Sequence, residues 1–198
     1  GRLSRTERQW LQIEKERDGV FTEYVDIDGL RDEIKNWKFP LHFIDFETST
    51  VALPFYAGRK PYEQIAFQFS HHIYHENGKV EHAHEYINVE PGEFPNFKFI
   101  AKLKEALSSD NGTIFKFAPH ENTIVNAIYQ QLKTSNVSNK EELQEFIKLI
   151  SHSTDKSPEV WKGNRDMVDL CKVIQHYYYN PYTFGSNSIK QVLPSILK

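Results

Sequence analysis

The sequence predicts an α/β fold, a sheet with helices packed on it. Three observations predict it. Residues 41–48 form an apolar, β-prone run directly after Pro40. Two aromatic-rich, β-branched stretches, 64–74 and 80–89, flank Asn77-Gly78, a strong hairpin signal. Helical periodicity then alternates with a short strand, so the order is strand, hairpin, helix, strand, helices.

Each element has its own reason. Residues 5–17 are charged with Trp10, Leu11 and Ile13 interspersed, and read as a surface helix ended by Asp18-Gly19. Residues 20–25 read as a short extended piece. Asp28 is the expected cap of a helix through Trp37, with Leu30, Ile34 and Trp37 on one face. Together these make residues 1–39 an expected N-terminal helical appendage or linker. Residues 49–63 hold two prolines and a glycine and form an expected loop. Residues 97–107 read as an amphipathic helix with Ile100, Leu103 and Leu107 in phase, ended by Asp110-Asn111-Gly112. Residues 113–118 are a short strand, and Pro119 suits the first turn of a helix over 120–132. Asn139, with Glu142 three residues on, reads as a capping box for a helix through Ile150. Residues 151–164 are polar and loop-like. Residues 166–179 read as a helix starting from an extended Met167-Val168 and broken by Asn180-Pro181.

Composition excludes several classes. The 198 residues carry a net charge of −3, which argues against a strongly basic, non-specific nucleic-acid binder but leaves local basic patches open. Aromatics at 14% argue against wholesale disorder. No apolar run approaches the roughly 20 residues of a membrane-spanning helix. A single cysteine, Cys171, excludes an internal disulfide framework and fits a reducing, cytoplasmic setting. No secretory signal is expected at the N-terminus. The chain opens Gly1-Arg2-Leu3 without Met and ends soon after a helix start at Ser188. The expectation is a piece of a longer bacterial-type protein, with residues 40–198 a domain truncated at its C-terminus and further domains elsewhere in the parent chain.

The acidic residues carry the chemistry. Asp45 and Glu47 stand at i and i+2 of the first long strand, hence on one face and roughly 6–7 Å apart. Carboxylates in an apolar strand are costly unless they reach solvent, pair with cations or bind a metal. Clustered carboxylates are hard ligands suited to magnesium or manganese. Glu121 follows the second strand where it passes into a helix, and Asp169 sits at another strand-like to helix junction. In an α/β sheet, ligand sites gather at the carboxyl ends of strands. The plainer readings are solvent-facing acids paired with Lys or Arg, a first-turn helix acid at Glu121 and a helix cap at Asp169.

Phe43-Ile44-Asp45-Phe46-Glu47-Thr48 resembles the first motif of the DEDD (DnaQ-like) 3′–5′ exonucleases, which have a ribonuclease H-like fold. Residues 116–122 are similar to the second motif. Asp169-Leu170, followed by Gly185-Ser186-Asn187-Ser188-Ile189-Lys190-Gln191-Val192-Leu193-Pro194, resembles a bacterial branch of unknown function within that superfamily. The resemblance implies a ribonuclease H-like mixed sheet flanked by helices. It implies two-metal phosphodiester hydrolysis at single-stranded DNA or RNA ends, with Mg2+ or Mn2+ as cofactor. Asp45, Glu47 and Glu121 would be metal ligands, and Asp169 a fourth catalytic residue. Glu121 stands where the superfamily usually has Asp, which leaves Asn122 as a competing candidate. The third motif of the superfamily lies beyond this chain, which implies weak metal binding and little activity. A catalytically silent nucleic-acid or protein-binding module of the same fold is the alternative.

Four residues are expected to face substrate. Arg59 and Lys60 lie in an aromatic loop after the acidic strand, and single-strand binders combine cations with stacking rings. Lys190 could reach a phosphate, and Ser188 is equally a helix cap. Five histidines, His71, His72, His75, His82 and His84, crowd the hairpin, with His71 and His75 expected on one strand face and His82 and His84 on another. They read as exposed strand residues rather than a zinc site, since cysteine partners are absent. Cys171 reads as a small buried hydrophobe, and Tyr177-Tyr178-Tyr179 as packing aromatics.

Overall fold

A computed structural model of the chain describes residues 2–155 and 157–197. The leading Gly1 lies outside them. The chain divides into two compact units. One runs from Lys38 to Val168. The other joins the N-terminal segment up to Trp37 with the C-terminal segment from Asp169.

The larger unit is built on strands β2 (Leu41–Ser49), β3 (Ile65–Tyr74), β4 (Val80–Ile87) and β5 (Ile114–Lys116). With β6 (Val168–Asp169) they form one mixed five-stranded sheet in the order β4-β3-β2-β5-β6. β3 runs antiparallel to β2 and β4, and β5 runs parallel to β2. The expected hairpin is present, and Gly78 turns it at φ 85°, a conformation that favours glycine. Helices α3 (Asn96–Leu107), α4 (His120–Lys133) and α5 (Lys140–Ile150) supply the rest of the core. Phe99, Ile100, Leu103, Ile128, Leu132 and Ile147 are fully buried in it. The periodicity explains why: each helix presents a stripe at three- and four-residue spacing to a core that also holds Ile44 and Phe46 of β2. Phe99 meets Phe46 and Phe69 edge-on, with ring centroids 4.9 and 5.6 Å apart. Asn139 does occupy the α5 cap position, but its side chain makes no cap hydrogen bond, so the expected capping box does not form.

The other unit contains α1 (Arg5–Arg17), β1 (Tyr24–Val25), α2 (Ile27–Ile34), α6 (Leu170–Tyr177), β7 (Tyr178–Tyr179) and α7 (Ile189–Ile196). α1 opens on a capping box: the Ser4 hydroxyl accepts from the Glu7 N–H, and the Glu7 carboxylate accepts from the Ser4 N–H. α2 is capped by Asp26 and not by Asp28; the Asp26 carboxylate accepts from the Gly29 N–H at 3.0 Å. It stops at Ile34 and not at Trp37, because the Asn36 side chain donates to the Asp32 carbonyl and closes the last turn. The expected helix over 166–179 is shorter too. Tyr178 and Tyr179 leave it to pair with Val25 and Tyr24 as a two-stranded sheet. Among the described residues no helix is long and apolar enough to cross a membrane.

Candidate functional site

The site starts from the alternation of β2, the middle strand of the sheet. Leu41, His42, Ile44 and Phe46 are buried, whereas Asp45 and Glu47 are exposed on the opposite face from Ile44 and Phe46. Across the ladder, Asp45 lies opposite Ser70 and Glu47 opposite Gln68. Neither cross-strand neighbour is a cation. Among the described residues, neither carboxylate forms an ion pair with Lys or Arg. The plainer reading of these acids, solvent-facing and paired, is therefore met only in its first half.

The end of β2 is tied to the start of α4. A bulge shifts the register between Glu47 and Thr48. Bulges re-aim side chains and recur beside active sites. Thr48 Oγ1 lies 3.2 Å from His120 Nε2, in the first turn of α4. The link from β5 into α4 is strained: Ala118 adopts φ 73°. The buried Lys116 Nζ donates to the Ala118 carbonyl at 2.7 Å and holds that turn. Such outliers persist only where the surroundings over-determine them.

Glu121 follows, and it is buried at 3% exposure. It differs in environment from Asp45 and Glu47, which face solvent. Asn122 is committed to structure: its amide donates to the His152 carbonyl at 3.0 Å and its Oδ1 accepts from the His152 N–H at 3.1 Å. The Asn126 amide donates to the same carbonyl at 2.9 Å. His152 is thereby fixed, and its Nδ1 stands 2.8 and 3.0 Å from the two oxygens of Asp166. Sequence reasoning missed this Asp166–His152 dyad. Its only sequence signal was a His and an Asp at opposite ends of a polar loop.

The remaining predicted residues are placed as follows. Asp169 caps α6, accepting from the Cys171 and Lys172 N–H groups at 3.0 and 3.4 Å. Ser188 caps α7 by accepting from the Lys190 N–H at 3.4 Å, and Lys190 is exposed. Arg59 is engaged inside its loop: the guanidinium lies 3.5 Å from the Phe94 ring centroid and pairs with Glu63 at 3.3 Å. Lys60 is exposed, as are the loop's Leu53, Phe55 and Tyr62. Among the described residues, no group of three or more His, Cys, Asp or Glu is arranged to hold a metal ion. The structure thus brings Asp45 and Glu47 together on one face and leaves Glu121 outside any such group.

Fold and site define an α/β protein whose central strand carries two exposed carboxylates on one face, with no Lys or Arg partner among the described residues. The chain belongs to the DUF2779 family, a domain of unknown function, whose model matches residues 42–188. That match takes in Asp45, Glu47, Glu121, Asp169 and Ser188, and Lys190 lies beyond it. No curated protein and no solved structure gives a significant match.

Proposed function

We propose that this chain belongs to a metal-dependent phosphodiesterase of the DEDD exonuclease type, with a ribonuclease H-like fold, acting on single-stranded DNA or RNA ends. One observation supports the reading above the others: Asp45 and Glu47 stand on one exposed strand face with no cation partner among the described residues. Uncompensated like charges at i and i+2 repel one another, and a divalent cation between them removes that cost.

The donor set fits magnesium or manganese. Magnesium is commonly held by one or two carboxylates together with waters and substrate phosphates, and not by an all-protein cage. Two exposed carboxylates meet that description without a third protein ligand. Asp45 and Glu47 would hold the ion; Glu121 is buried in the first turn of α4. Divalent metals in such sites supply an activated water and stabilise the leaving oxygen. The chain's own residues supply position. The Thr48–His120 contact fixes the strand end to the helix, and exposed Lys60, Phe55 and Tyr62 offer a cation and two stacking rings to a single strand.

Calorimetric titration of manganese into the chain, with Asp45→Ala alongside, tests the reading. Binding that the variant loses supports it, as does manganese-dependent shortening of end-labelled single strands that Asp45→Asn abolishes. Equal titration curves for both proteins overturn it in favour of a non-catalytic binding module.

A further inference from the structure

The inner face of the same sheet carries a second polar feature, on the opposite side from the acids. His42 on β2 and His71 on β3 are both fully buried. His42 Nε2 lies 2.8 Å from Asp110 Oδ1, and His42 Nδ1 lies 2.9 Å from His71 Nε2. His71 Nδ1 in turn lies 3.1 Å from Nδ1 of His84, its cross-strand partner on β4. Successive rings stack, with centroids 5.1 and 5.2 Å apart. His84 is exposed, so the row runs from a loop carboxylate through two buried imidazoles to solvent. Asp110 is itself held by the Gly112 N–H at 2.7 Å and by Arg165 at 3.4 Å.

Hydrogen-bond chemistry gives this row one polarity. An ionised carboxylate only accepts, so His42 Nε2 donates to Asp110. A neutral imidazole has one donor and one acceptor. His42 Nδ1 therefore accepts, His71 Nε2 donates, His71 Nδ1 accepts and His84 Nδ1 donates. His84 Nε2 is left as the basic end of the row.

We propose that Asp110, His42, His71 and His84 form a proton relay, carrying a proton from solvent at His84 to the buried His42, which the half-buried Asp110 holds at its far nitrogen. The balance is simple. A proton binds His84 Nε2, and the Nδ1 proton of His84 passes to His71 Nδ1. The Nε2 proton of His71 passes to His42 Nδ1. His84 and His71 end neutral with their tautomers reversed. His42 ends as an imidazolium between the Asp110 carboxylate and His71 Nε2, with every hydrogen bond intact. A second proton has no such place, because two N–H groups would then face each other.

Burial and the charged surroundings set the working range. His42 is faced by Asp110, by Arg165 and by His75; His71 is faced by His42, His84, Asp110 and His72. Burial is the largest influence on both rings and pushes both below the ordinary histidine value, His71 to about 4. The relay thus rests in its neutral polarity at pH 7 and loads on acidification.

Two-bond nitrogen–proton spectra of the imidazoles, recorded from pH 7.5 to pH 4, test this. At pH 7.5 His42 and His71 should carry the proton on Nε2, and His84 on Nδ1. On acidification His42 should become doubly protonated while the proton of His71 moves from Nε2 to Nδ1. A different tautomer in any ring at pH 7.5 overturns the proposal, as does a doubly protonated His71. His71→Phe cuts the row: His42 should then stay neutral to pH 4, and an unchanged His42 titration in that variant is equally fatal. If the variant does not fold, the wild-type spectra decide alone.

Discussion

The Asp45 to Asn substitution separates a functional acid from a structural one. Asp45 and Glu47 are exposed, share one strand face and form no ion pair with Lys or Arg among the described residues. Their charges are roughly 6.7 Å apart by strand geometry. Coulomb repulsion at that distance in water is about 0.6 kcal/mol. Screening at physiological salt, with a Debye length of about 8 Å, leaves about 0.3 kcal/mol. Asp45→Asn keeps the shape and removes the repulsion, so it should stabilise the protein by that small amount. Melting temperature should rise by about 1 °C, since 1 kcal/mol moves a chain of this size by about 2–4 °C. The rise should be largest at low salt and vanish in 1 M salt. Manganese should raise the melting temperature of the wild type by mass action and leave the variant unmoved. The assay is thermal unfolding at two salt concentrations, with and without manganese. A loss of more than about 1 kcal/mol would refute the reasoning, since surface changes away from special features stay within about 0.5 kcal/mol. So would a variant that keeps the full manganese shift.

Three further outcomes follow from the packing. Phe99→Ala removes a fully buried ring that meets Phe46 and Phe69, and should cost about 3–5 kcal/mol in urea unfolding. Asn96→Ala strips a buried amide that accepts from the Ala66 N–H at 2.8 Å; that N–H is orphaned at a cost of about 1–3 kcal/mol, measurable in the same way, whereas the Gln64 carbonyl keeps the Gln131 amide at 3.0 Å. Stability should also fall with acid. Burial lowers His71 from 6.5 to about 4, so it stays neutral in the folded protein between those values while the unfolded state binds a proton there. Stability is unaffected above about pH 6.5 and falls as pH drops toward about 4, by about 3 kcal/mol in all. Chemical denaturation at pH 7.5 and pH 4.5 should show the loss in the wild type and a smaller one in His71→Phe.

The long, strongly patterned elements were legible because local periodicity reports burial. The strand expected over 41–48 is Leu41–Ser49, and the helix expected over 120–132 is His120–Lys133. What failed depends on partners distant in sequence. Nothing local in Tyr178-Tyr179 says that Tyr24 and Val25 will pair with them. The histidines failed for a different reason. His82 and His84 were expected to share a face, as period-two alternation requires. A bulge in the β3–β4 ladder instead sets His84 opposite His71 and His82 opposite His72. One of the pair therefore joins the buried row, and the other stacks with His72 at 4.5 Å. His42 was missed altogether, because its partners Asp110 and His71 lie 68 and 29 residues away. At the acidic site, the face shared by Asp45 and Glu47 was legible from spacing alone. The commitment of Asn122 to the His152 backbone was not.

The two polar features of β2 are linked through register. Ile44 pairs with His71 and Asp45 with Ser70. A slip by one residue would turn Ile44 and Phe46 outward and drive Asp45 and Glu47 into the core. The apolar core resists that slip, but apolar packing is non-directional. The His42–His71 bond is directional, and a one-residue slip places its two rings on opposite faces. Core and histidine row therefore select the same pairing, and only in that pairing do both carboxylates reach solvent together. Beyond Glu47 the register shifts, Thr48 pairs with Ala66, and its hydroxyl meets His120. The buried end of the strand thus fixes the geometry that the exposed end presents to solvent.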